Sequence, residues 1–539
     1  MQTQGLKAFG RQFSAVEIRW LLLRLACAAL WAIELFWVQK LAFPAVPWVR
    51  HPLIIQFFRL CLDAIFAFGM VLVLRRVFLA PLLALNLLAM LAVGAYVTHF
   101  HRPLMPFTIY YERKEIWTLL PHFWDFVSAG MAAVVMAALA VKLILLWRSG
   151  RSPFPQFPRA WLALCFATLY LAAVGVLQFT HLRLNVRPSA GNMRNVYAYG
   201  YTLPWLCDMI ANRSLQAHAR RAEKLLQKHY DRISPLEQPL TIPGHLVILQ
   251  LESIDGPAID GRCKEGRIMP FVYQLKTQSM CFRLVAFHFN GSCDMDYATT
   301  TFSEPYFGLV PYRLPGMIYT NSLPAFMKRH GFKTYFYHGN GSMFYDRGSV
   351  LERLGFDGLF FKEQLANRGF KSSIIGFRDA DVLNCALEPL ASRAPVCVFA
   401  ISLDSHVPFK QLEPSEMKLF PEPETDAQRF LNSANHVDGC LRDFVQKLPP
   451  GTTLVVYGDH TPALSSPEYR SDVVNGKDYV LCLIYQKGAD LAAKQETRDL
   501  AIATNGTLNL LDVMSYLRSS IEKQGQPLAS GEPGSSANN

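Results

Sequence analysis

Four side chains that could hold a metal ion and activate a hydroxyl lie far apart in this 539-residue chain. Glu252 ends the apolar run LVILQLE, and Asp459 and His460 end the run LVVYGDH. Ser292 follows Gly291, where another strand-like run gives way to a polar segment typical of a helix start. An α/β fold places ligands and nucleophiles in this way, at the carboxyl ends of its strands. The pattern predicts a metalloenzyme.

These residue types suit a metal-activated nucleophile. Adjacent Asp459 and His460 supply one oxygen and one nitrogen ligand, a pair suited to Zn²⁺ or Mn²⁺. A serine hydroxyl such as that of Ser292 is a poor nucleophile, and coordination to a divalent ion favours its alkoxide. Each position also has a structural interpretation, because Glu252, Ser292 and Asp459 could cap helices and His460 could lie on the surface. Cys293 is a rival nucleophile that we interpret as a structural cysteine.

Two further segments offer donors for an anionic, tetrahedral substrate. YHGNGSMFYDRG contains His338, Tyr345 and Arg347, and SLDSHVPF contains His406. An arginine can bind such a group through two parallel hydrogen bonds, and histidines can serve its attacking or leaving oxygen. The alternative for each histidine is an ordinary hydrogen-bonded residue at a strand end.

Strands and helices alternate from His245 onward. Short apolar runs predict strands, and helical spacing or a closing glycine predicts helices. The alternation predicts an α/β domain with a mostly parallel central sheet and helices on both faces. The predicted strands are HLVILQLE, FRLVAFHF, KTYFYH, CVFAISL, TTLVVY and YVLCLIY, and the predicted helices are SLPAFMKRHGF, Ala427–Leu448 and LNLLDVMSYL.

Five long apolar stretches occupy the first third of the chain. Each is near the ~20 residues that cross a bilayer as a helix. Five in succession argue against the alternative of a soluble helical bundle. The first is too long for a cleavable signal and lacks a small-residue cleavage site, so we expect it to be an anchor. The stretches are Glu17–Val38, Leu53–Leu74, Phe78–Phe100, Trp124–Trp147 and Pro158–Phe179.

The formal net charge of +11 does not indicate a nucleic-acid partner. Residues 1–180 hold 16 Lys and Arg against 6 Asp and Glu, whereas the remainder is nearly balanced, 37 against 36. The basic excess therefore flanks the apolar stretches, where it sets topology and meets anionic lipid. Its distribution favours a cytoplasmic N-terminus, which after five spans puts everything beyond about residue 180 outside.

These patterns divide the chain into four parts. Residues 1–180 are the predicted five-span transmembrane domain, 181–243 a partly helical connector, and 244–523 an exported catalytic domain. Residues 524–539 have almost no apolar content and are predicted to be disordered. Eight cysteines fall in the exported part, where an oxidising compartment would permit disulfides, although no pairing follows from the sequence.

The order of the short motifs resembles that of a known family. LES, then GSCD, then HGN followed by an aromatic residue and an arginine, then SHVPF and YGDH resemble the sulfatase-like domain of lipoteichoic acid synthases. That family belongs to the alkaline phosphatase superfamily and includes phosphoglycerol transferases acting on periplasmic glucans. The resemblance covers about residues 245–520, and the five preceding spans fit it. It implies a multi-pass protein of the inner membrane with a periplasmic or extracellular catalytic domain.

The resemblance also implies roles for the residues singled out above. Ser292 would take phosphoglycerol from phosphatidylglycerol as a covalent intermediate and pass it to a glycan or another envelope acceptor. Ser292 and Tyr345 stand where the family has threonine and tryptophan. The ligands of one divalent ion, Mn²⁺ with Zn²⁺ or Mg²⁺ as alternatives, would be Glu252, Ser292, Asp459 and His460. The phosphoglycerol group would be bound by His338, Tyr345, Arg347 and His406.

Three alternatives remain at this point. A phosphoethanolamine transferase using phosphatidylethanolamine has the same overall plan, but its usual threonine-centred, cysteine-flanked nucleophile segment is absent. A sulfatase usually carries Cys or Ser with Pro two residues on and Arg two further, a motif that does not follow Gly291. A non-catalytic membrane scaffold would not need the intact set of Glu252, Ser292, Asp459 and His460.

Overall fold

The computed structural model describes two separate compact units, Met1–Arg213 and Ser214–Asn539. Residues 525–539 and most of the predicted connector lie outside the described residues, so the predicted domain boundaries stay predictions. The described residues are 14–42, 52–100, 104–111, 127, 129–153, 159–179, 196, 199, 201–211, 215–228, 240–307, 309–462, 464, 466–474, 477–491 and 508–524.

The first unit is helical, and five of its helices are long and apolar enough to cross a membrane. This confirms the five predicted stretches. The fourth of these helices begins at Ala129 rather than at the predicted Trp124, which lies outside the described residues. The helices are α1 (Ala15–Ala42), α2 (Pro52–Val73), α3 (Arg76–Phe100), α4 (Pro106–Tyr111), α5 (Ala129–Ser149), α6 (Arg159–Phe179) and α7 (Thr202–Ala211).

The second unit is an α/β domain. Its strands are β1 (Leu246–Leu251), β2 (Arg262–Cys263), β3 (Gly266–Arg267), β4 (Met280–Val285), β5 (Lys333–His338), β6 (Gly358–Phe360), β7 (Val396–Ile401), β8 (Thr453–Gly458), β9 (Val473–Val474), β10 (Lys477–Gln486) and β11 (Leu508–Asn509). Its helices are α8 (Leu215–Lys228), α9 (Gly256–Asp260), α10 (Pro270–Lys276), α11 (Cys293–Thr301), α12 (Leu323–Arg329), α13 (Arg347–Leu354), α14 (Lys362–Leu365), α15 (Asp379–Leu387), α16 (Asp426–Lys447) and α17 (Leu510–Gln524).

The central sheet is mixed but mostly parallel, as predicted. Its order is β11-β4-β10-β8-β1-β7-β5-β6, with β9 paired to β10. Only β10 runs against its neighbours β4 and β8, and the other pairs of the main path are parallel. The carboxyl ends of β1, β4, β5, β7 and β8 therefore meet at one edge of the sheet, where β10 begins. We call this the catalytic edge.

Helices cover both faces of this sheet. Val247, Leu249 and Leu251 of β1 pack into one buried core with residues of α10, α15 and α16. On the opposite face, Gln250 accepts a hydrogen bond from the Tyr457 hydroxyl, which lies 2.5 Å from the Thr299 hydroxyl on α11. Every residue of β1, β7 and β8 is buried, which explains why their sequences are predominantly apolar.

One predicted strand differs from the structure in its bounds. The predicted strand FRLVAFHF is shorter than expected, because β4 stops at Val285. The predicted strand YVLCLIY is confirmed and lies within the long β10, which runs antiparallel to its neighbours β4 and β8. All eleven cysteines belong to the described residues and none is in a disulfide.

Candidate metal and nucleophile site

Strand pairing brings the predicted metal ligands together. Glu252 directly follows β1, and Asp459 and His460 directly follow β8. These strands are parallel neighbours with Leu251 opposite Gly458, so the residues after each strand are adjacent at the catalytic edge. Ser292 reaches the same place from β4 through the short segment that leads into α11.

The four side chains converge on the Nε2 atom of His460. This nitrogen lies 3.2 Å from Oε1 of Glu252, 3.7 Å from Oδ1 of Asp459 and 3.2 Å from the hydroxyl oxygen of Ser292. Glu252, Asp459 and His460 are buried, and their ligand atoms lie within 4.8 Å of one another. Such a group of one nitrogen and several oxygens has the donor types of a Zn²⁺ or Mn²⁺ site.

The hydrogen bonds of this group leave two potential ligand atoms available, Nε2 of His460 and Oδ2 of Asp459. Nδ1 of His460 lies 2.8 Å from the carbonyl oxygen of Thr461, which suits a protonated Nδ1 and leaves the Nε2 lone pair for a cation. Among the described residues, Oδ2 of Asp459 is buried and has no hydrogen-bond partner. A buried carboxylate oxygen without a donor is costly, and a bound cation would satisfy it. The donor set therefore fits a divalent metal ion.

The electrostatics of the protein alone point the same way. Burial raises the pKa of Asp459 well above its usual range, and the charge of Glu252 beside it adds to this. Burial lowers the pKa of His460, but the charge of Asp459 and the hydrogen bond with Glu252 outweigh burial and raise it to about 10. Two carboxylates side by side in a dry site demand a positive charge, which a protonated histidine or a metal ion can supply.

Three serines that the sequence did not single out hold the ligands in place. Ser253, at φ 57°, donates its backbone N–H to Oδ1 of Asp459 and its hydroxyl to Oε1 of Glu252, at 2.7 and 2.9 Å. The hydroxyl of Ser402 accepts from the Glu252 N–H, and that of Ser405 donates to the Glu252 carbonyl. Serines are common in the turns that follow strands, so nothing in the sequence distinguished these three from ordinary turn residues.

The side chain of Ser292 does not cap the helix that follows it. Ser292 occupies the N-cap position of α11, but its side chain makes no capping hydrogen bond. Its backbone carbonyl accepts from the side-chain amide of Gln250 at 3.2 Å. The preceding turn is held by Asp294, whose carboxylate accepts from the Asn290 backbone and side chain at 2.6 and 2.7 Å. The N-terminus of α11 would stabilise negative charge on a phosphate at this hydroxyl.

Tyr345 lies against this turn. Gly291 has φ 119°, and a Cβ atom there would collide with the Tyr345 hydroxyl oxygen and lie 3.2 Å from its Cζ atom. Tyr345 is itself at φ 59° and buried. Its ring has the guanidinium groups of Arg347 and Arg313 at 5.0 and 5.9 Å. Tyr345 can therefore pack against the turn before Ser292 only because residue 291 is a glycine.

Arg347, predicted to bind substrate, is buried and already donates a hydrogen bond to a carboxylate within the protein. Its Nε atom donates to Oδ2 of Asp296 at 2.5 Å. The sequence gave no indication of Asp296 as its partner, because the two lie on different helices. Asp296 neutralises one edge of the guanidinium and fixes its plane beside Tyr345.

The two predicted histidines reach the same edge. His338 ends β5, is buried, and has Nδ1 3.2 Å from the carbonyl oxygen of Ile401. Burial, aided by the charge of Arg347, lowers the pKa of His338 to about 3, so it is neutral near pH 7. His406 is half-buried and lies close enough to interact electrostatically with both Glu252 and His338. Both imidazoles thus lie within electrostatic range of the ligand group.

His288 is a further residue at this edge that sequence reasoning missed. Its ring stacks on the ring of His460, with centroids 4.1 Å apart and planes 6° apart. Its Nδ1 lies 2.8 Å from Oδ2 of Asp478 at the start of β10. His288 lies in FRLVAFHF, which was predicted to be one strand. The sequence did not predict that β10 runs antiparallel and so brings Asp478 to this edge. No sequence pattern therefore linked His288 with Asp478.

A second group of potential ligands lies beyond β7. Asp404, His436 and Cys440 also bring ligand atoms within 4.8 Å of one another. Here the chain supplies its own cation, because Arg378 donates to Oδ1 of Asp404 at 2.7 Å and lies 3.1 Å from Nε2 of His436. We interpret this group as a support for the turn that carries His406.

The second unit is similar in sequence to known proteins. Residues 245–500 match the sulfatase family model. Lipoteichoic acid synthase 1 of Bacillus subtilis is 23% identical over 230 residues, which cover 40% of this chain and 36% of that protein. The chain thus matches about a third of the length of its curated relatives.

The chain is also similar to solved structures. The integral membrane protein lipooligosaccharide phosphoethanolamine transferase A of Neisseria meningitidis is 11% identical and has a TM-score of 0.55. The match covers 93% of this chain and 95% of that one, so the similarity includes both the helical and the α/β unit. The lipoteichoic acid synthase LtaP of Listeria monocytogenes is 18% identical, with a TM-score of 0.44 over 55% of this chain and 81% of that one.

Proposed function

We propose that this chain is a membrane-bound phosphoglycerol transferase and a member of the lipoteichoic acid synthase-like sulfatase family, whose model matches residues 245–500. It would move glycerophosphate from phosphatidylglycerol to a glycan-type acceptor outside the cytoplasm. The observation that carries this proposal is the 3.2 Å distance between the Ser292 hydroxyl and Nε2 of His460, inside a buried group of metal-ligand side chains.

The chemistry would be a two-step transfer. A divalent ion, Mn²⁺ in our proposal, bound by Glu252, Asp459, His460 and Ser292 would favour the alkoxide of Ser292 and neutralise charge on the phosphate. Ser292 Oγ forms a bond to phosphorus, the bond from phosphorus to the diacylglycerol oxygen breaks, and that oxygen takes up a proton. In the second step an acceptor hydroxyl loses its proton and forms a bond to phosphorus, the bond from phosphorus to Ser292 Oγ breaks, and Oγ takes up a proton.

The surrounding residues suit an anionic head group. His338, neutral because it is buried, offers a ring nitrogen near the ligand group without adding a fixed charge, and His406 offers a second imidazole there. Arg347 and Tyr345 would contact the glycerophosphate from the side of the Gly291 turn. The N-terminus of α11 faces charge that develops on the phosphate, which is where preorganised dipoles lower a barrier most.

A lipid donor would explain why the chain carries the long apolar helices of the first unit. A transferase that draws its phosphate from a phospholipid has to work at a bilayer surface, and five helices of this chain are long and apolar enough to span one. We propose a cytoplasmic N-terminus and a catalytic unit in the periplasm or extracellular space, from the distribution of Lys and Arg in residues 1–180.

The test is a donor assay with the full chain in lipid vesicles. Vesicles carry labelled phosphatidylglycerol in one arm and labelled phosphatidylethanolamine in the other, with Mn²⁺ present. The proposal predicts diacylglycerol release from phosphatidylglycerol by the native chain and none by Ser292→Ala. Undiminished release by the variant would contradict it. Release from phosphatidylethanolamine alone would instead identify a phosphoethanolamine transferase.

A further inference from the structure

The exposed apolar side chains of the second unit are unevenly distributed. Among its described residues, six large apolar side chains are more than 40% exposed. Five of them lie on four segments at the catalytic edge, three loops and strand β9, and we call these five the apolar rim. Its members are Phe307, Met343, Ile374, Val473 and Val474, and the sixth exposed residue, Ile318, lies elsewhere.

Two members of the apolar rim flank the nucleophile. The ring of Phe307 lies 5.2 Å from that of Phe289, three positions before Ser292. Met343, which is 63% exposed, is two positions before Tyr345, whose hydroxyl lies against the turn of Ser292. The rim therefore borders the place where a substrate phosphate would be attacked.

The other members belong to neighbouring loops of the same edge. Ile374 lies on the loop whose Phe377 N–H donates to the carbonyl of Gly339, directly after β5. Val473 and Val474 form β9, which pairs with the first residues of β10. Since β10 is antiparallel, its start lies at the carboxyl ends of β4 and β8.

Basic side chains accompany these apolar ones. Lys371 is exposed three positions before Ile374, and exposed Arg470 and Lys477 precede and follow β9. Apolar side chains interspersed with Lys and Arg are typical of surfaces that lie in the interface of anionic bilayers. Ordinary solvent-facing loops seldom collect apolar side chains in this way.

The opposite edge of the sheet provides an internal comparison. Its described loops, 240–245, 277–279, 330–332, 391–395 and 448–452, carry none of the large exposed apolar residues. The chain also enters the unit beside the rim, because His218 in α8 lies 3.0 Å from the hydroxyl of Tyr306, the neighbour of Phe307. The exposed apolar side chains therefore lie at the edge of the sheet that carries the proposed active site and near helix α8, with which the unit begins.

We infer that the apolar rim docks into the interface of an anionic phospholipid bilayer. This inference rests on the proposed function, because a lipid-linked phosphate has to meet Ser292 at the membrane surface. Phe307 and Met343 would enter the boundary between head groups and acyl chains on either side of the donor. Lys371, Arg470 and Lys477 would contact lipid phosphates.

The inference can be tested without turnover. An environment-sensitive fluorescent amino acid is placed at Met343 or Val474 of the full chain, in nanodiscs of phosphatidylglycerol and phosphatidylcholine with spin-labelled lipid. The matched control carries the same fluorophore at Arg393, an exposed position on the opposite edge. We expect quenching at positions 343 and 474 to exceed that at 393 several-fold. Equal, weak quenching at all three positions would overturn the inference.

A second variant guards against a fluorophore that inserts by itself. With the fluorophore at Val474, the substitutions Phe307→Glu and Met343→Glu together should reduce quenching to the level of position 393. Unchanged quenching would show that the rim does not hold this edge at the bilayer. Strong quenching without diacylglycerol release would defeat the proposed function alone, and release without quenching would defeat the rim alone.

Discussion

The hydroxyl oxygen of Ser292 and Nε2 of His460 lie 3.2 Å apart although 168 positions separate the two residues. The distance results from the sheet, because β8 presents His460 next to Glu252 while the turn after β4 delivers Ser292 to the same edge. Since Nδ1 of His460 faces the Thr461 carbonyl, Nε2 is the atom turned toward the Ser292 hydroxyl. Several predictions about the chemistry depend on this pair.

Removing the hydroxyl of Ser292 should abolish transfer. We expect Ser292→Ala to lower diacylglycerol release by at least about 10³-fold, because no other hydroxyl takes its place in the mechanism. Ser292→Thr keeps the hydroxyl and should retain part of the activity. Thermal melting of both variants checks folding, and full activity of the alanine variant would rule out Ser292 as nucleophile.

A divalent cation should stabilise the second unit through Glu252 and Asp459. After chelation, adding Mn²⁺ should raise the thermal midpoint of the full chain, because the ion satisfies two adjacent buried carboxylates. At a free concentration of about 100 times Kd the gain is about 2.7 kcal/mol. Asp459→Asn should lose this response, and its metal-free form should be no less stable, since it has one buried charge fewer. An equal response of native chain and variant would contradict the assignment.

Gly291 and Tyr345 should behave as a coupled pair. Gly291→Ala places a methyl group against the Tyr345 hydroxyl and forces alanine to φ 119°, so it should lower both stability and turnover. Tyr345→Phe removes the nearest atom and should restore part of the loss in the double variant. The measurement is a double-mutant cycle on thermal midpoint and turnover. Strictly additive effects would mean that the two residues do not meet.

How much of this could be predicted from the sequence differs between fold and site. The apolar runs of β1, β7 and β8 could be predicted as strands because these strands are buried on both faces. The five long helices could be predicted from the length of their apolar stretches. Glu252, Asp459 and His460 could be found because each directly follows such a run. Partners supplied by distant elements could not be found: the carboxylate of Asp296 on Arg347 and the ring of His288 on His460 depend on packing that no local pattern encodes.

Asp438 should give the second unit a pH dependence that is independent of the metal site. Burial raises the pKa of Asp438 to about 6, although its carboxylate accepts from the Phe271 and Val272 N–H groups. Because the folded pKa exceeds the unfolded one, the folded state holds a proton that the unfolded chain releases. The contribution of Asp438 therefore becomes less favourable as pH rises from about 4 to 6, by at most about 3 kcal/mol, and is constant above.

The control for this pH effect is Asp438→Asn, which cannot titrate. Relative to the native chain, the thermal midpoint of the variant should rise between pH 4 and 6 and then level off. Parallel pH profiles of the two proteins would show that Asp438 does not hold a proton in the folded state over this range.

The most direct test of the central claim is the mass of the intact chain after brief incubation with phosphatidylglycerol and Mn²⁺, without acceptor. The account predicts an added phosphoglycerol group that maps to the peptide containing Ser292 and is absent from Ser292→Ala. Its lifetime should shorten when an acceptor is supplied. A chain that releases diacylglycerol while no phosphoryl group is ever found on Ser292 would contradict the covalent mechanism.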